Sequence, residues 1–273
     1  MSDKKQILLT NDDGINSPGL WAAAGALAAL GHVTIAAPLH QHTGAGRSMP
    51  AASEGRIHQQ PLHINGQAWM AYAIEGTPAQ VVQHALLELM PRYPDLMVAG
   101  INYGENVGSG VTISGTVGAA LEGASFGLPA LAVSLQTDTH HHHTYSTDID
   151  FSAAAHFTHY FAERLLNTSL PPDVDVLKVE VPETATPQTR WQMTRLSRHR
   201  YYFPVKPQRA QLTNKASISY RRAADEQAHT IEPDSDVGAL LAHIVSVTPL
   251  SLDMTARVRL EALAEQLNRE LEN

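Results

Sequence analysis

Two adjacent carboxylates, Asp12 and Asp13, stand between Asn11 and Gly14, directly after the short apolar run Ile7 to Thr10. Neighbouring acids at a buried strand end repel each other, and their pKa values rise unless a cation lies between them. A metal ion removes that cost. The chain has no cysteine, so a metal would take oxygen or imidazole ligands, and carboxylate, amide and hydroxyl oxygens favour Mg²⁺ or Mn²⁺ over Zn²⁺. Asp and Gly also favour turns and helix N-caps, so residue type alone leaves a metal site and a plain turn level. A second group, Ser114-Gly115-Thr116, follows glycines at 104, 108 and 110 and opens a segment rich in alanine. Free backbone N–H groups and the dipole at a helix N-terminus bind anions, and glycine lets a phosphate come close. A phosphate site facing a divalent ion would be suited to phosphoryl transfer, although Ser-Gly-Thr is also a common N-cap sequence. The residues match neither a Walker A loop nor a GxGxxG dinucleotide fingerprint, which disfavours kinase and dehydrogenase chemistry.

These groups need elements to hold them. Ile7 to Thr10 reads as a strand, the Ala- and Leu-rich segment after Pro18 as a helix stopping at Gly31, and His32 to Ala37 as the next strand. Beyond the polar loop 38–50, Ile57 to Ile64 and Gln67 to Ile74 flank Asn65-Gly66, a strong hairpin signal, and the hairpin is expected outside the parallel sheet. Thr77 to Met90 reads as a helix with Pro78 in its first turn. Asp95 to Ala99 and Ala130 to Leu135 read as buried strands on either side of the glycine-rich stretch and an Ala-rich helix ending near Gly127. Alternating strands and helices give an α/β class with a mainly parallel sheet. The second half is less regular, with a helix at 150–166, strands at Val174 to Val181 and Ile244 to Thr248, β-like pieces at 191–203 and 216–222, and an amphipathic helix from Met254 to about Leu271. In open α/β sheets ligands bind beyond the carboxyl ends of the strands. The polar residues collect there from three strands, at Asn11 to Gly14, at His42-Thr43-Gly44, and at Gly100 to Asn106.

The 273 residues carry 19 basic and 27 acidic side chains, a formal charge of −8. That balance disfavours nucleic acid as the main ligand. The start of the chain lacks signal-peptide character, and no stretch approaches the about 18 apolar residues of a membrane span, so a cytoplasmic protein without membrane partners is expected. Four other features have less specific meaning. His140 to His143 reads as a solvated run, Arg198 to Tyr202 as an exposed strand or a base-stacking surface, Arg47 as a surface arginine or a phosphate contact, and Pro204 to Lys215 as a loop or an oligomerisation arm.

The blocks ILLTNDDG (7–14), GTPA (76–79), GINYGEN (100–106), SGTVGAALEG (114–123) and VSVTPL (245–250) occur in an order that resembles the SurE family of 5′/3′-nucleotidases across nearly the whole chain. The resemblance implies a single Rossmann-like α/β domain, with a core of about 1–185 plus 240–273, a β-hairpin insertion, and an extended arm of about 186–239 used for homodimer or homotetramer assembly. It implies one Mg²⁺ or Mn²⁺ per subunit, held by Asp12, Asp13, Asn102 and Thr43, where the family usually has serine. Asn11, Asn106, Ser114, Gly115 and Thr116 would lie around the phosphate of a nucleoside monophosphate, with Asp12, Asn106 and Ser114 as the catalytic residues. Asp12 is the better candidate for orienting water, and His40 or His42 a candidate proton donor to the leaving group. Strand 177–182 reads LKVEVP where the family commonly has asparagines, so Lys178 and Glu180 depart from the pattern. The alternatives are a broad-specificity acid phosphatase, an exopolyphosphatase, and a nucleotide-binding module without turnover.

Overall fold

The structure, a computed structural model, describes residues 4–64, 66–222 and 231–269. It begins with β1 (Gln6–Thr10), α1 (Pro18–Leu27), β2 (His32–Pro38), β3 (Ile57–Ile64) and β4 (Gln67–Ile74). Next come α2 (Pro78–His84), β5 (Leu96–Tyr103), α3 (Gly115–Ser125), β6 (Ala130–Leu135), α4 (Ser152–Asn167) and β7 (Val176–Val181). The remainder comprises β8 (Trp191–Met193), β9 (Tyr202–Val205), β10 (Ser219–Arg222), α5 (Asp236–Leu241), β11 (Val245–Leu250) and α6 (Leu260–Arg269).

Nine strands form one sheet in the order β3-β4-β2-β1-β5-β6-β7-β11-β8. From β4 to β7 every neighbouring pair is parallel. Strands covered on both faces read as continuous apolar runs, and β1 shows why. Ile7 and Leu9 pack with α1 and α4, including Leu20, Leu27, Phe157 and Phe161. Leu8 points to the other face, where Val81, Val82, Val117 and Ala120 of α2 and α3 cover it. With both faces of its middle buried, β1 delivers the polar run Asn11-Asp12-Asp13 just beyond its carboxyl end.

Local sequence explains the helix starts on the face next to the site. Thr77 caps α2 through a capping box, its hydroxyl accepting from the Gln80 N–H while the Gln80 side chain accepts from the Thr77 N–H. Ser114 caps α3, its Oγ accepting from the Val117 N–H at 3.1 Å. The glycines of α3 serve close approach: a Cβ on Gly118 would sit 2.3 Å from the Gly46 carbonyl oxygen.

Several expectations are corrected. The 57–74 hairpin lies inside the main sheet, because β4 pairs in parallel with β2 while β3 pairs antiparallel on the edge. Its Asn65 falls outside the described residues, and Gly66 has a left-handed φ of 77°. The helix after Thr77 changes to a π-helical turn at Ala85–Leu89. Within the expected arm, Trp191–Met193 is an edge strand of the sheet, parallel to β11, while β9 and β10 form a separate antiparallel pair. The terminal helix begins later, at Leu260 rather than Met254, and its described side chains are exposed rather than part of the core.

Candidate active site

The carboxylate pair lies at the carboxyl end of β1, and both side chains are buried. Asn11 shapes the turn: its Oδ1 accepts from the Gly14 N–H and its Nδ2 donates to the Gly14 carbonyl, each at 3.1 Å. Gly14, at φ 98°, occupies the left-handed region that favours glycine. Asp12 faces the start of α3, where the Thr116 hydroxyl donates to its Oδ1. The fit there is close, since a Cβ on Gly115 would lie 2.6 Å from the Asp12 Cβ. Burial pushes the Asp12 carboxyl up to about 6, opposed by hydrogen bonds from Thr116 and Gly115. Asp13 points the other way, accepting from the Tyr103 N–H at 3.1 Å and from Gln41 Nε2 at 3.0 Å. Burial first, and then the Asp12 charge, push Asp13 well above the usual carboxylate range. No lysine or arginine forms an ion pair with either acid among the described residues.

A divalent cation fits this chemistry. Two buried acids left without a cationic partner are a destabilising arrangement that a positive ion relieves. Asn102, at the end of β5, donates through Nδ2 to the Tyr103 and Gly104 carbonyls at 3.2 and 2.7 Å, which fixes its amide plane and presents the oxygen elsewhere. Thr43 lies on the exposed turn after β2, and its hydroxyl has no hydrogen bond to either carboxylate among the described residues. The adjacent His42 N–H donates to the Asp12 carbonyl at 2.7 Å, holding that turn against the acids. Burial and the neighbouring His40 lower the His42 pKa, which weakens His42 as a proton donor near neutral pH.

Sequence reasoning missed the charged cluster beneath the 104–110 loop. Lys178 and Glu180 project from β7 as fully buried side chains. Lys178 Nζ lies 3.1 Å from Asp236 Oδ2 and 3.4 Å from Glu180 Oε1, and donates to the Asn106 carbonyl at 2.9 Å. Glu180 Oε2 accepts from the Asn106 N–H at 2.9 Å. Asp236 accepts from the backbone N–H groups of Gly108, Ser197 and Val237, each at 2.9 Å. Both backbone polar groups of Asn106 are thus held from below, while its Nδ2 donates to Ser134 Oγ at 3.0 Å. With two acids against one ammonium, burial pushes Glu180 up to about 7, opposed by Lys178 and the Asn106 N–H. The available signal was two charged residues in an otherwise apolar strand, which implies buried partners without naming them.

The neighbouring Glu105 is buried and forms an ion pair with Arg222 of β10 at 2.9 Å. The histidine run is not uniformly solvated. His140 is exposed and bonded to Asp138, but His142 is buried, its Nδ1 2.9 Å from the Tyr220 hydroxyl and its ring against Gly104. Burial lowers His142 to about 4. Tyr201 is buried, and Tyr202 packs edge-on against Tyr220, so these two rings belong to the packing around the β9–β10 pair. Arg47 pairs with Glu122 of α3 at 2.6 Å, bracing the loop that carries Thr43 instead of facing the acids.

The structure therefore brings Asp12, Gly115 and Thr116 into contact and sets Asp13 beside the β5 end that carries Asn102. Asn106 stands four residues further on, in the clamped loop. Asn11 is committed to its own turn, and the Thr116 hydroxyl to Asp12. Residues 7–203 match the family described as Survival protein SurE. The chain belongs to the SurE family. A relative named 5′-nucleotidase SurE from Thermococcus kodakarensis is 40% identical over 263 residues, covering 96% of this chain and 98% of that protein. One of the same name from Archaeoglobus fulgidus is 38% identical over 257 residues, covering 94% and 95%. The crystal structure of the SurE protein from Aquifex aeolicus superimposes with a TM-score of 0.71 at 28% identity, covering 98% of this chain and all of that one. The α/β core is thus the SurE fold, and no helix among the described residues is long and apolar enough to cross a membrane.

Proposed function

We propose that this SurE protein is a divalent-metal-dependent phosphatase that hydrolyses nucleoside 5′-monophosphates, and 3′-monophosphates as well, to nucleoside and phosphate. The observation that carries the reading is the buried Asp12-Asp13 pair set against the N-terminus of α3, with no lysine or arginine ion-paired to it among the described residues. The relatives named 5′-nucleotidase supply the nucleotidase chemistry.

Asp12, Asp13 and Asn102 would hold one Mg²⁺ or Mn²⁺, with Thr43 reaching it from the turn after β2. Such an ion polarises a phosphate oxygen and lowers the pKa of a bound water. Asp12, held by the Thr116 hydroxyl, orients and deprotonates the attacking water. Asn106 and Ser114 face the charge that builds on the phosphoryl oxygens, aided by the dipole of α3. The clamp on Asn106 fixes that residue in advance, so less ordering is needed when the phosphate arrives. A second copy of the chain is the proposed partner, supported by the exposed Leu260, Leu263 and Leu267 on one face of α6.

The test is phosphate release from 5′- and 3′-nucleoside monophosphates and from polyphosphate, by metal-stripped protein with and without Mg²⁺ or Mn²⁺, beside Asp12→Asn. Release from nucleotides that needs metal and is lost in the folded variant supports the reading. Equal activity of stripped protein, or of Asp12→Asn, overturns it.

A further inference from the structure

The amide of Gln41 lies where three segments meet. Its Nε2 donates to Asp13 Oδ1 at 3.0 Å and to the His142 carbonyl at 2.7 Å. The first acceptor stands just beyond β1, the second on the loop joining β6 to α4, and Gln41 itself on the turn after β2. Both hydrogens of the amide are engaged, and both partners only accept. That pair of acceptors decides which way round the amide lies, since its oxygen could serve neither. A glutamate at this position would have no hydrogen to give once ionised.

Asp13 is thus held on both oxygens. Oδ2 accepts from the Tyr103 N–H at 3.1 Å, which ties the carboxylate to the strand end carrying Asn102. Oδ1 accepts from Gln41, which ties it to the turn carrying Thr43. Two donors on a group with about four acceptor sites leave an electron pair on each oxygen for an ion. One residue along, the His42 N–H donates to the Asp12 carbonyl, so consecutive residues of the turn grip consecutive residues of the acid pair. The loop on the far side is anchored too. The Tyr145 hydroxyl donates to the Asp13 carbonyl at 2.7 Å, the Tyr103 hydroxyl donates to the Ser146 carbonyl at 2.8 Å, and His142 Nδ1 lies 2.9 Å from the Tyr220 hydroxyl. The His142 carbonyl is therefore a fixed point against which Gln41 holds the carboxylate.

We propose that Gln41 is a positioning residue for the divalent ion: without touching it, the amide fixes the plane of the Asp13 carboxylate and registers the Thr43 turn against the acid pair. The assignment rests on the metal-dependent phosphatase reading above for the identity of the ligands. Hydrogen-bond partners of metal ligands typically contribute about 10–100-fold to metal affinity.

The experiment titrates metal-stripped wild type, Gln41→Met and Tyr145→Phe with Mn²⁺, following the free ion by its electron paramagnetic resonance signal. Phosphate release from adenosine 5′-monophosphate is measured over the same Mn²⁺ range. Gln41→Met keeps the length of the side chain and loses both donors, whereas Tyr145→Phe loosens the loop and leaves the amide in place. Thermal melts in chelator check that each variant is folded. Gln41→Met is expected to bind Mn²⁺ about 10–100-fold more weakly, and to regain most of the wild-type kcat once Mn²⁺ is raised to match. Damage to the turn alone would not be repaired by metal. Tyr145→Phe is expected to lose affinity by a smaller factor. Unaltered Mn²⁺ affinity in Gln41→Met, or an equal loss in Tyr145→Phe, overturns the Gln41 assignment and leaves the phosphatase reading in place. So does a loss of turnover, beside active wild type, that excess Mn²⁺ does not restore. Weaker Mn²⁺ binding by Gln41→Met than by wild type, with neither protein releasing phosphate, upholds the positioning role and removes the phosphatase reading instead. Wild type that binds no Mn²⁺ overturns both.

Discussion

Replacing Asp13 with asparagine removes one of two charges that burial sets against each other. In the metal-free protein both acids have folded pKa values raised above the ordinary carboxylate range. The folded state then binds more protons than the unfolded one above about pH 4, and its stability falls as pH rises through the Asp12 value of about 6 and on through that of Asp13. Asp13→Asn should therefore melt at a higher temperature than wild type in chelator at pH 7.5, with the advantage shrinking toward pH 4. Adding Mn²⁺ should raise the wild-type melting temperature and leave the variant nearly unmoved. A variant that is less stable than metal-free wild type at pH 7.5 would show that repulsion between the acids is not what burial costs here. Lys178 is the opposite case. Removing it leaves Glu180 and Asp236 buried without their common cation, and breaking such a pair costs about 3–5 kcal/mol. In urea unfolding, Lys178→Met should be destabilised by that order, and the double variant Lys178→Met with Glu180→Gln by less than the single one. Additive losses in the two would mean that the cluster is not electrostatically coupled.

Among the elements, α3 does most to define the site because its first turn touches Asp12. Gly115→Ala would place a methyl 2.6 Å from the Asp12 Cβ, and displacement of a reacting group by about 1 Å can cost about 100-fold in rate. Phosphate release at saturating nucleotide should fall by about that factor in a variant whose circular dichroism is unaltered; full activity would show that the Asp12 position is not critical. Much of this was legible in the sequence. The Asn11 to Gly14 turn, the N-cap sequence at Ser114, Pro78 in the first turn of α2, and the alternation of strands and helices are local patterns, and the structure reproduces them. Which strands become neighbours is a different kind of information. Residues 67–74 have β-like composition, but nothing in them says that Ala71 will sit opposite Ile35 of β2. Likewise Asp236 and Arg222 are ordinary charges on the page, and they acquire their roles only through Lys178 and Glu105, far away in the chain. The exposed Thr43 turn and the buried His142 show the same limit at single residues, since exposure is decided by what packs against a loop.

At the scale of the whole molecule, one element is not buried by the chain that carries it. Leu260, Leu263 and Leu267 share one face of α6 and are exposed, a surface that association between copies would cover. Sedimentation of wild type should give more than the mass of one chain, and Leu263→Glu with Leu267→Glu should give that of a single chain. Equal masses for the two proteins would place the assembly contact elsewhere.

The clamp beneath Asn106 joins residues from three distant parts of the chain: the loop at 106–108, β7, and the start of α5. During synthesis at roughly 5–20 residues per second, the Asn11 to Gly14 turn emerges first, and Asp236 more than two hundred residues later. Until Asp236 arrives, Lys178 and Glu180 have one another but not the second acid, and Gly108 lacks its acceptor. A nascent chain would thus carry both acids of the proposed ion site well before the loop at Asn106 is secured, and competence for the proposed turnover would come only near the end of translation.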